Sequence, residues 1–382
     1  MPSITEQSNQ DAIWRSLNGQ TVSVPNLAKL LPSWKSKIHP EYERARDEFL
    51  NPWIRRWVDD AMTCRKLQKA EFGVFAAVLC ADAPFDRFCT VAKYFAWYYI
   101  WDDIFDCGAL QGSSDSEINN YRQASMQYIQ HQLLPEHACP DLSVYPSQLQ
   151  NTLVCWEEVG KHIREVCSHA TRVILSKAML EYMEAVGDAN ELFADGKLPS
   201  LEAYWARRDY AAGIYPGIAT IPFVYGVDIT QTDVSNVRMR ELWKSTSYLV
   251  HISNDIISLR KELSDGQIEN LVPVIMLNEG ITINEAMQTS YKYAKDNVAS
   301  METAARNLQR GLGECHSSSS QAVVAAFTQG CRDLAAGLIH WSYSGQRYFK
   351  SAELDADKVL RFQINRKLTG SAVASGSVAV QG

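Results

Sequence analysis

Basic clusters are missing from this sequence, and the formal net charge is −7, which argues against a nucleic-acid surface. No stretch approaches the ~18 uncharged apolar residues of a membrane span. The first thirty residues lack a basic segment followed by an apolar one, the pattern of a secretory signal. Cysteine is present but unpatterned. Its nine residues are odd in number, irregularly spaced and without a CxxC pair, so a zinc site or a secreted disulfide framework is disfavoured. These absences leave a cytoplasmic protein with reduced thiols and no transmembrane segment. Alternating strand patterns of any length are also missing, as are internal repeats and mid-chain linkers rich in Gly or Ser.

What is present is helical. With 46% hydrophobic and 21% charged residues, the composition is that of a globular protein. Segments such as "TLVCWEEVGKHIREVCSHATRVILSKAMLEYMEAVGDANEL" and "RMRELWKSTSYLVHISNDIISLRKEL" place apolar residues at three- and four-residue spacing over many turns. "LPEHACPDLSVYPS", "ADGKLPS" and "LSDGQIENLVP" punctuate them as short loops. The expectation is one all-α domain over residues 21–368. A loosely held N-terminus over 1–20 precedes it, and a low-complexity, disordered tail over 369–382 follows.

The stretch "YYIWDDIFDCG" sets an apolar aromatic run against Asp102, Asp103 and Asp106. Residues four apart stack on one helix face, so Asp102 and Asp106 point the same way, with Asp103 on the adjoining side. A hard cation such as Mg²⁺ would suit these oxygens. A solvated helix end stopped by Cys107-Gly108 is the alternative. Residues 254 to 262, "NDIISLRKE", then place Asn254, Ser258 and Glu262 at four-residue steps, a single stripe of oxygen ligands. Two such stripes need a positive charge between them, and a diphosphate with several Mg²⁺ supplies it.

At this point the chain resembles the class I terpene cyclases. The aspartate-rich motif of that family matches "DDIFD", and its metal-binding triad matches "NDIISLRKE" at every specified position, Lys261 included. A diphosphate-sensing arginine is expected about 46 residues before the asparagine, where Arg208 stands. An Arg-Tyr pair near the C-terminus corresponds to Arg347 and Tyr348. The polar linker that usually follows the sensor is missing, its place falling at Ala211 and Ala212 before Gly213. The resemblance runs from residue 102 to 348. It implies a single-domain antiparallel helical bundle with a deep apolar cavity and an Mg²⁺-dependent site holding three ions.

The resemblance further implies the substrate and the division of labour. A linear prenyl diphosphate, farnesyl diphosphate first, would be ionised and cyclised to a terpene hydrocarbon or alcohol. Asp102, Asp106, Asn254, Ser258 and Glu262 would hold metal, with Asp103 and Arg208 joining the catalytic group. Arg208, Lys261, Arg347 and Tyr348 would bind diphosphate. Aromatic faces attract cations, so Phe95, Tyr98, Tyr99 and Trp341 are the expected cavity wall, the first three near the Asp102 face of the helix and Trp341 by family correspondence. His251 reads as a packed or surface residue. The alternatives are a diterpene cyclase using geranylgeranyl diphosphate, a prenyl diphosphate synthase, and a non-catalytic helical binding protein. A chain-elongating synthase would need a second DDxxD where Asn254, Ser258 and Glu262 stand. The state expected is a monomer or homodimer.

Overall fold

The computed structural model describes residues 4–31, 33–34, 36–106, 110, 112–191, 198–311 and 318–365, with the side chains of 4–10, 106 and 188–191 left out. The expected tail over 369–382 lies outside them. The described residues are helical except for short loops and a ribbon in which Thr21–Val24 pairs antiparallel with Leu360–Gln363, Val22 opposite Phe362. The ribbon ties the two ends of the domain together. The N-terminal segment, expected to be loosely held, comes before this ribbon. It forms the helix Ile4–Leu17, and Ile13, Trp14 and Leu17 are buried in the common core. Those three apolar side chains recur at i, i+1 and i+4, one helix face.

Two helices carry the motifs. Phe85–Asp106 ends at the acidic cluster, and Val237–Asp265 carries the asparagine stripe. The second is capped at its start by Asn236, whose side chain accepts from Arg238 N, and stopped by Gly266 at φ 87°. It packs along Ile283–Arg310 and against Ser318–Ser344. Phe72–Leu79, "FGVFAAVL", is buried on every face, wedged between Phe85–Asp106 and Ser318–Ser344. By length and composition Ser318–Ser344 could cross a bilayer, yet 72% of its most apolar window is buried inside the protein.

One break shapes the interior. Helix Leu201–Ala211 stops at Ala212, and Ile214–Ala219 starts after Gly213, which sits in the left-handed region at φ +69°. A Cβ at Gly213 would also stand 3.2 Å from the Tyr182 ring, so both conformation and space favour glycine there.

Candidate active site

A cavity of about 400 Å³ opens between the helices, and both motifs reach it. Phe75, Phe95, Tyr98, Tyr99, Leu334 and Leu338 form its apolar part. Asp102, Asn254, Ser258, Glu262, Lys261, Arg208, Arg347 and Tyr348 form its polar part. The helix geometry accounts for this division. Phe95, Tyr98 and Tyr99 lie one to two turns before Asp102, so the same helix delivers wall and rim in sequence.

The polar part is a connected network. The Arg208 guanidinium donates from Nη2 to Asp255 Oδ1 at 2.7 Å and to Asn254 Oδ1 at 3.0 Å. Asn254 Nδ2 donates to Tyr348 Oη at 3.1 Å. Tyr204 closes the group by donating its hydroxyl to Asp255 Oδ2. Asn270 donates from Nδ2 to Glu262 Oε2 at 2.8 Å and to the Asp255 carbonyl at 2.7 Å. Burial, followed by the nearby Asp255 charge, pushes the Glu262 carboxyl above its usual range. Burial opposes the charge on Arg208, but Asp255, Tyr204 and Glu262 more than offset it and leave the guanidinium firmly cationic.

Arg347 lies over aromatic faces, its Cζ 4.6 Å from the Tyr99 ring centroid and 5.6 Å from that of Phe72. Lys261 lines the cavity but donates to Asp265 Oδ2 at 2.7 Å. Arg260, two positions before Glu262, faces the other way. It holds the Tyr348 carbonyl at 2.7 Å and Glu353 at 2.6 Å, which fixes the segment carrying Arg347.

Two sequence expectations are met differently, the wall position of Trp341 and the surroundings of His251. Trp341 does not line the cavity. It is 1% exposed, and its Nε1 donates to the Ala70 carbonyl at 2.5 Å. Phe75 and Tyr99 stand in front of it, with ring centroids 6.0 and 5.6 Å away. Its large ring backs the wall rather than forming it. Trp341→Ala should therefore cost about 3–5 kcal/mol in denaturant unfolding, the range for deleting a buried tryptophan. A loss under about 1 kcal/mol would show that the site is not packed as described. Asp103 falls on the side adjoining Asp102, as expected, since one residue along a helix turns the side chain by about 100°, and its charge bears on Arg347. Asp106 closes its helix, but its side chain lies outside the described residues. His251 is neither on the surface nor merely packed: it is fully buried and lines the cavity.

Sequence reasoning passed over Asp255, Tyr204, Asn270, Arg260 and Phe75. Asp255 was visible beside Asn254. Nothing in the sequence said that it would be 1% exposed and hold both Tyr204 and Arg208. The others come from distant segments and have no local signature.

The donor set suits a hard divalent ion. Asn254, Ser258, Glu262 and Asp102 present oxygen donors to the cavity, and the Ser258 hydroxyl lies beside the Glu262 carboxyl one turn along the helix. Among the described residues no three His, Cys, Asp or Glu side chains converge; the donors are shared between an amide, a hydroxyl and carboxylates.

Residues 93–300 match the family profile described as "Terpene synthase family 2, C-terminal metal binding". The chain belongs to the terpene synthase family. Terpene synthases are lyases that act on prenyl diphosphates, and the matched region is a metal-binding domain. The terpene synthase described here is 24% identical over 351 residues to the sesquiterpene cyclase hepA of Aspergillus oryzae, covering 88% of this chain and 91% of the relative. It is 25% identical over 338 residues to the silphinene synthase peniA of Penicillium patulum, covering 87% of each. Its fold matches a solved single-site variant of cucumene synthase with a TM-score of 0.68 at 21% identity, over 83% of this chain and 99% of the other. A linalool/nerolidol synthase from Streptomyces clavuligerus matches with a TM-score of 0.67 at 18% identity, over 81% and 98%. These likenesses bear on the fold. The class I terpene synthase bundle expected from the motifs is the one observed.

Proposed function

We propose that this terpene synthase ionises farnesyl diphosphate with Mg²⁺ and cyclises the resulting carbocation to a sesquiterpene hydrocarbon or alcohol, releasing diphosphate. The observation that carries this is the single cavity with an aromatic interior and a rim of oxygen ligands and cations. Relatives named sesquiterpene cyclase and silphinene synthase support the fifteen-carbon choice.

In this reading Asp102, Asp106, Asn254, Ser258 and Glu262 hold three Mg²⁺ ions. Bound Mg²⁺ neutralises charge on the departing diphosphate. Arg208, Lys261, Arg347 and Tyr348 supply donors to the same group, and Lys261 leaves Asp265 to do so. Phe95, Tyr98 and Tyr99 keep water from the hydrocarbon and offer ring faces to positive charge, each contributing roughly 0.5–2 kcal/mol.

Incubation with the C10, C15 and C20 prenyl diphosphates, followed by gas chromatography–mass spectrometry, tests the substrate. The C15 compound should give cyclic products with Mg²⁺ and none with EDTA, and Ca²⁺ should restore little because its larger shell fits poorly. Full turnover in metal-free buffer would sink the metal assignment, and cyclic products from the C20 compound alone would sink the substrate. Mg²⁺ with inorganic diphosphate should also raise the melting temperature, as any ligand selective for the native state does.

A further inference from the structure

His251 lines the cavity, and the proposed function leaves it unused. It lies one turn before Asn254 on the long helix, is fully buried, and neither Nδ1 nor Nε2 has a hydrogen-bond partner. Buried polar groups are nearly always paired, so two unpartnered nitrogens beside a cavity call for a partner that arrives with the ligand. The ring is held by Tyr248 and Trp205, with centroids 4.9 and 5.6 Å away. Burial, then the Arg208 cation, hold the imidazole well below its ordinary pKa, so it is neutral with a lone pair available.

The other bases of the cavity are committed. Asp102 and Glu262 belong to the proposed ligand set, and Glu269 is paired with Arg207. Asp255 is held by Tyr204 and Arg208. His251 lines the same cavity as this polar network and the apolar wall, so a hydrocarbon cation and a diphosphate bound there would share the space with its ring.

We propose that His251 is the proton acceptor that ends the carbocation cascade, an inference that rests on the cyclase reading above. A ring nitrogen lone pair takes a proton from a carbon adjacent to the cationic centre. The C–H bonding pair becomes the new C=C bond and cancels the positive charge. The imidazolium passes its proton to the released diphosphate and returns to the neutral form. The chemical consequence is that an olefin, not an alcohol, dominates the products of the native enzyme.

The experiment compares the full-length wild type with His251→Phe and His251→Gln on farnesyl diphosphate and Mg²⁺, recording diphosphate release and product profile in parallel. Both variants should release diphosphate within about threefold of wild type. The ratio of the main olefin to alcohols and to isomers with the double bond elsewhere should fall at least tenfold. An unchanged product ratio in a folded variant would overturn the proposal. If neither variant folds, ¹⁵N NMR of histidine side chains in the wild type decides. A neutral, buried imidazole should shift when Mg²⁺ and the non-ionisable thiolodiphosphate analogue of the substrate are added, and the absence of any such response would overturn the assignment. If wild type released no diphosphate from any chain length, the cyclase reading would fall and this proposal with it. Every other outcome bears on His251 alone.

Discussion

Asp102→Asn and Asn254→Ala should each lower turnover by two or more orders of magnitude while leaving the protein folded. Both side chains line the cavity, Asp102 near the end of its helix and Asn254 in the second half of its own. Removing one preorganised electrostatic contact to a developing charge typically costs 10²–10³ in rate. Asn254→Ala removes a proposed metal oxygen together with the amide that joins Arg208 to Tyr348, so its effect should be the larger. Steady-state diphosphate release measures the rate, and circular dichroism melting checks the fold. A folded variant with unaltered turnover would reduce both stripes to solvated helix faces.

Arg208→Met is expected to lose stability as well as activity. Asp255 is 2% exposed at its side chain, and Arg208 is its cationic partner. Breaking a buried pair by removing one member leaves an uncompensated charge, worth about 3–5 kcal/mol. Tyr204 still donates to Asp255 and should hold the loss toward the lower end. The double variant Arg208→Met, Asp255→Asn should recover most of the stability, because the stranded charge is gone, but none of the activity. Urea unfolding of the two proteins is the measurement. If Arg208→Met unfolds within about 1 kcal/mol of wild type, well short of the cost of a stranded charge, the guanidinium is not what balances Asp255.

Some of this was legible in the residues. The periodicities of the chain around Val237–Asp265 specify a helix, because 3.6-residue repetition has no other economical solution, and the oxygen stripe follows once the helix is granted. Trp341 shows the opposite case. Its spacing from Arg347 said nothing about Ala70, 271 positions away, whose carbonyl takes the indole proton and holds the ring behind Tyr99. His251 was likewise ambiguous, since a histidine on an apolar helix face is as compatible with solvent as with a cavity.

The sequence by itself determined the all-α class and the two helices carrying the Asp102 and Asn254 clusters, because each depends on local periodicity or a short motif, whereas Arg208, Arg347 and Tyr348 were singled out only by the family resemblance. Only the tertiary structure decided that Asp102 and Asn254 share one cavity, that Asp255 is neutralised by Arg208 and Tyr204, and that Trp341 supports the wall while His251 faces the cavity. Those outcomes depend on which helix face meets which, and burial then determines whether a polar group finds a partner or is left for a ligand.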